Sequence, residues 1–178
     1  SSSNSYAGIS DTTTLSFTTA DETAPTISSF SPADNATAVS TTSNIILNFS
    51  EVVDVETGNI VIYKASDNSV VETIDVTSGQ VTGTGSTQIT INPSTDLAEQ
   101  TEYYVQIAAT AFDDSSSNSY AGISDTTTLS FTTADETSPT ITGPSGSEAG
   151  ASTSTVSINE NGTAVNTFEA NETVTWSL

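Results

Sequence analysis

Residues 1–23, SSSNSYAGISDTTTLSFTTADET, recur unchanged as residues 115–137. The alignment runs on through Pro25/Pro139, Thr26/Thr140 and Ile27/Ile141, and then the two copies part. An offset of 114 residues is too long for one unit of a solenoid and fits one whole domain of a tandem array. The repeat therefore sets the expected boundaries. Residues 1–20 read as the tail of a preceding repeat, 21–134 as one complete domain, and 135–178 as a linker and the N-terminal part of a different β module. About 40 residues are too few for an independent core, so the last segment reads as part of something longer.

The complete repeat has an all-β pattern. Short β-branched and aromatic runs are expected as strands at Thr26–Phe30, Asn44–Phe49, Asn59–Lys64, Ser69–Val76, Thr87–Asn92, Thr101–Ala109 and Thr127–Thr132. Turn residues separate them, such as the acidic stretch ending in Gly58 and the Gly/Thr run Ser78–Ser86. Seven short strands with turn signals between them are the pattern of a β-sandwich. Alternation of Tyr104, Gln106 and Ala108 with Tyr103, Val105 and Ile107 puts one of the two faces inward. No window keeps a 3.6-residue apolar period long enough for a helix of any size.

Composition narrows the chemistry. The chain has 22 acidic residues against one basic residue, Lys64, for a net charge of −21, with no His, Cys or Met. Disulfides, thiolate sites, imidazole ligands and a Ser-His-Asp triad are thereby excluded. One cation cannot neutralise a phosphate backbone, so nucleic acid is not a partner. No stretch approaches the roughly 20 apolar residues of a membrane helix. What remains is oxygen chemistry, the ligand set of hard cations such as calcium.

The phrase TAPTISSFSPADNATAVSTTSNIILNFSEVV, followed by YAGISDTTTLSFTT, resembles the bacterial Ig-like domain of the SbsA type, found in surface-layer and giant repetitive surface proteins. The closing TVSINENGTAVNTFEANETVTWSL resembles the start of a cadherin-like repeat. The resemblance implies an Ig-like antiparallel β-sandwich in a tandem array and an extracellular structural or adhesive stalk, often calcium-dependent, with no catalysis of its own. Residues 1–20 then become the C-terminal tail of a preceding Ig-like repeat, and 21–134 a complete Ig-like domain.

Strands that alternate in direction sort their loops to two ends. One end is expected to gather Asp21 and Glu22 from the leading segment. It should also hold Glu51, Asp54 and Glu56 after the second strand, and Asp113, Asp114 and Asp125 after the sixth. Carboxylates brought together repel, and a divalent ion removes that repulsion by collecting six to eight oxygens at about 2.3–2.6 Å. Asp135 and Glu136 repeat the leading Asp-Glu pair at the far end of the domain. No EF-hand loop is present, and solvated surface acids are the competing explanation for every one of these residues.

The expected function is therefore a non-catalytic, calcium-rigidified spacer at the bacterial cell surface, in contact with neighbouring repeats. Two alternatives accompany it: an adhesive module for a glycan or protein ligand, and a subunit that exchanges strands with other copies. Tyr103, Tyr104, Phe112, Tyr120 and Phe131 could stack on a sugar, but their spacing suits strand faces and core filling.

Overall fold

The computed structural model describes residues 3–5 and 7–138, together with the backbone of two short strands at 141–142 and 169–170. The chain divides into two units, Ser1–Ala134 and Asp135–Leu178. In the second, β11 (Ile141–Thr142) pairs antiparallel with β12 (Glu169–Ala170). The cadherin-like reading of 155–178 otherwise falls outside the described residues.

The first unit is a sandwich of two sheets, and among its described residues there is no helix. One sheet has the order β1-β3-β7-β6, with β9 paired to β3. Its strands are β1 (Ile27–Ser31), β3 (Ile45–Val55), β6 (Val81–Thr82), β7 (Ser86–Ile91) and β9 (Phe112–Asp113). The other sheet has the order β2-β10-β8-β4-β5. It contains β2 (Ala36–Val39), β4 (Asn59–Lys64), β5 (Ser69–Asp75), β8 (Glu102–Ile107) and β10 (Ser130–Thr133). All pairings in these sheets are antiparallel except β2 with β10.

Period-two alternation explains the core. Ile45, Leu47, Ile89 and Ile91 face Ile60, Ile62, Val105 and Phe131 from the opposite sheet, all of them buried. Each fully buried Leu or Ile contributes about 1.5–3 kcal/mol relative to exposure. Along β8 the inward face is Tyr103, Val105 and Ile107, and Tyr104 on the other face is buried as well. The SPADN turn has a structural purpose as well. Asp34 Oδ1 accepts from the Ser130 N–H and hydroxyl, both at 3.0 Å, and Asn35 N–H donates to Ser130 O at 2.8 Å. The turn thus seats β2 beside the last strand.

Three expectations about individual strands are corrected. The strand starting near Asn44 does not end at Phe49 but continues to Val55, because Val53 is itself fully buried and pairs with Ser86. The last strand starts at Ser130 instead of Thr127, because Asp125 takes the N–H groups of Thr127 and Thr128 into a bend. The strands β2, β6 and β9 have four, two and two residues, too short for alternation to reveal them.

The two ends of this unit are chemically distinct. β10 runs antiparallel to β8 with Thr132 opposite Glu102, and Ala134 O accepts from Gln100 N–H at 3.1 Å. From there β8 runs to Ile107 and leads into β9 and Asp114. Ala134 and Asp114 are therefore separated by about 20 Å of strand, at roughly 3.3 Å per residue.

Candidate metal centre

Asp114 follows β9 and opens a tight loop. Its N–H donates to Asn118 O and its carbonyl accepts from Ser117 N–H, both at 3.1 Å. Its own carboxylate nucleates the turn: Oδ1 accepts from Ser116 N–H and Asn118 N–H at 2.8 Å, and Oδ2 from Asn118 Nδ2 at 2.8 Å. Asp114 is only 5% exposed. The Asn118 side chain, the Asn118 N–H and the Ser116 N–H hold its carboxyl below the ordinary value against the opposing effect of burial.

The same Asn118 amide reaches the leading segment, donating to the Asp21 carbonyl at 3.0 Å. Asp21 Oδ1 accepts from Thr23 N–H at 2.9 Å. Glu51 comes from β3, in the irregular stretch between Asn48 and Val53 where the pairing with β7 shifts register. Such irregularities re-aim side chains. Thr26 and Ser50 tie this stretch to the start of β1, with Ser50 N–H donating to Thr26 O at 2.8 Å and Thr26 N–H to Ser50 Oγ at 3.0 Å.

Carboxylate oxygens of Asp21, Glu51 and Asp114 accordingly lie within 4.8 Å of one another. Glu51 bears the electrostatic consequence. Desolvation, followed by the charges of Asp114 and Asp21, pushes its carboxyl above the ordinary value. Because N–H donors keep Asp114 ionised, the like-charge strain falls on Glu51, whose carboxylate accepts no hydrogen bond among the described residues. The donor set is three carboxylates without nitrogen or sulfur, which suits a hard divalent cation. Asp114 uses three of about four lone-pair sites, and Glu51 keeps its oxygens for a ligand.

The other acids singled out in the sequence are not part of this three-carboxylate group. Glu22 is exposed and outside the group. Asp54 and Asp113 are register partners on β3 and β9, and Asp54 Oδ1 accepts from the Thr84 hydroxyl at 3.2 Å. Glu56 lies beyond β3, its N–H donating to Ala111 O at 2.9 Å. Asp125 caps its bend through the Thr128 hydroxyl and the Thr127 and Thr128 N–H groups, which hold it far below the carboxylate range. Asp135, in the second unit, accepts from Thr137 N–H at 3.2 Å, and Glu136 is exposed. Asn118 was not singled out. The D-S-S-S-N spacing was its signal, since a carboxylate followed by small polar residues closes an Asx-type loop on itself.

The five aromatic residues considered as a sugar platform are buried. Phe49 meets Phe112 and Tyr120 edge to face, each at 5.4 Å between ring centres. Burial, and secondarily the Asp125 charge, push the Tyr120 hydroxyl up to about 12. Tyr104 stacks on half-buried Tyr63 at 4.9 Å.

Among solved structures, the crystal structure of the S-layer protein rSbsC(31-844) aligns over 67% of this chain at 17% identity and a TM-score of 0.42. This chain spans 15% of that protein's resolved length. No curated protein matches the sequence. The family described as bacterial Ig-like domain matches residues 21–133, most of the chain and the whole of the sandwich, so the chain belongs to the bacterial Ig-like domain family.

Proposed function

We propose that residues 21–134 are a structural Ig-like spacer of a large bacterial surface or secreted protein, and that calcium held by Asp21, Glu51 and Asp114 fixes the leading segment to the body of the domain. The observation that carries this reading is the approach of the three carboxylates within 4.8 Å, drawn from the segment before β1, from β3 and from the loop after β9. A cation there would cross-link three stretches far apart in sequence. It would also relieve the repulsion that raises the Glu51 carboxyl. The chain enters the sandwich beside Asp114 and leaves at the opposite end through Ala134, as a module in a linear string needs. Burial of the aromatic rings favours a spacer over a sugar-binding module.

The test is thermal unfolding in chelator and in millimolar calcium. Extracellular calcium modules bind with Kd of about 10⁻⁴–10⁻³ M. At about 10 mM calcium, roughly ten- to a hundredfold over Kd, the stabilisation is about 1.4–2.7 kcal/mol, a Tm rise on the order of 5–10 °C for a domain of this size. Melts that superimpose in chelator and calcium would remove the metal from the account.

A further inference from the structure

Among the described residues, β2 and β10 make the one parallel pairing of the sandwich. β2 lies early in the domain, and β10 is its last strand. The chain enters beside Asp114 and leaves at the opposite end through Ala134. Tension between those two points drags β2 toward the entry and β10 toward the exit. The strands would then have to slide past each other along their length. Inter-strand bonds run across the strands, so all of them take the load together.

The pair is fastened at both of its ends. On the entry side, Asp34 Oδ1 accepts from the Ser130 N–H and hydroxyl, and Asn35 N–H donates to Ser130 O at 2.8 Å. On the exit side, Ala134 N–H donates to Val39 O at 2.7 Å. The other flank of β10 is tied as well. The Thr133 hydroxyl donates to Ala98 O at 2.6 Å and accepts from Thr101 N–H at 3.0 Å. Ser130 and Thr133 are both buried, which keeps water from replacing these bonds as they stretch. A buried hydroxyl adds less to equilibrium stability than an apolar group does, but its bonds are directional and oppose sliding.

We infer that the SPADN turn is a mechanical latch, in which Asp34 and Asn35, clasped on Ser130, lock β2 to β10 against tension along the string. The inference rests on the spacer reading and extends it from holding a distance to withstanding a force. β1 is loaded in the same sense, since Ile27 pairs with Phe49 near the entry and Ser31 with Ile46 away from it. β10, pulled directly through Ala134, cannot leave without breaking the clasp.

Force-clamp spectroscopy of the full chain held by its two ends tests this. The runs are made in chelator, so their failure leaves the calcium melts untouched. Opening of residues 21–134 adds about 400 Å, 114 residues at roughly 3.6 Å each. Asp34→Ala removes the bonds to Ser130 and should shorten the lifetime under constant load about tenfold. Ile89→Val lies in the core on β7 of the other sheet and should lower the Tm to a similar extent. Its lifetime under load should stay close to the parent's, because the core is intact when the strands slide. Thr57→Cys/Gly79→Cys puts handles on exposed positions at the shared open end of β4 and β5. Pulled there, the hairpin opens bond by bond and should yield at loads that the chain held by its ends survives. That comparison leaves the clasp unaltered and decides the question even if Asp34→Ala does not fold. The inference is overturned if Asp34→Ala holds as long as the parent, if Ile89→Val shortens the lifetime as much, or if the hairpin handles hold as long as the chain ends.

Discussion

Asn118 holds the Asp21 carbonyl at 3.0 Å across 97 positions of sequence. The same side-chain amide bonds Asp114 Oδ2 at 2.8 Å, so one residue positions two of the three carboxylates. Asn118→Ala should therefore weaken calcium binding more than it weakens the metal-free fold. Loss of these bonds is worth about 1–2 kcal/mol. Parallel melts with and without calcium should show a reduced calcium-dependent rise in Tm.

Glu51→Gln reverses sign between the two conditions. In chelator it removes a carboxylate that desolvation and two neighbouring charges disfavour, so the variant should melt above the parent. In calcium it lacks a charged ligand and should melt below it. A variant less stable than the parent in both conditions would mean that Glu51 has another role.

The pH response contains two opposed contributions. Asp67, Asp75 and Asp114 are held below the ordinary value by hydrogen bonds from Ser69, Thr77 and Asn118 respectively. The stability they contribute is present above the unfolded value of about 3.9 and is lost as pH falls through their folded values. Glu51 is raised, so its ionisation opposes folding; that effect is absent below about 4.3 and complete above its folded value. In chelator, Tm should pass through a maximum on the acid side of neutrality and then decline slightly as pH rises. In calcium the decline should vanish, which a Tm series in both buffers checks.

The fold was legible because its signal is local. Alternation in β4 and β8 and the 114-residue repeat both follow from residues close in sequence or identical to one another. The full length of β3 was not, because pairing to β7 and β9 overrides the acidic, turn-like composition of residues 51–56. Strand direction brought Asp21, Glu51 and Asp114 into one neighbourhood at the level of sequence. The separation of Asp54, Asp113 and Asp125 from that group depends on hydrogen bonds to Thr84, Thr127 and Thr128 and on the β3–β9 register, which no spacing reveals.

The duplicated segment supplies an internal control for packing. Gly122 and its equivalent Gly8 share a left-handed backbone, φ +75° and +79°, but a Cβ at Gly122 would lie 2.5 Å from Ile107 O and 2.8 Å from Ala109 N, whereas Gly8 has open space around it. Gly122→Ala should destabilise the domain by about 2 kcal/mol, because the added methyl is forced against the Ile107 and Ala109 backbone. Gly8→Ala should leave the melt unchanged. Urea unfolding of the two variants makes the comparison.

A calcium titration followed by amide NMR puts the metal centre to the most direct test. Amides of Thr23, Ser116 and Asn118, which donate to Asp21 and Asp114, should shift together and saturate with a single Kd of about 10⁻⁴–10⁻³ M. Shifts that are absent, or spread evenly over all the acidic loops without saturating, would contradict a bound cation at this seam.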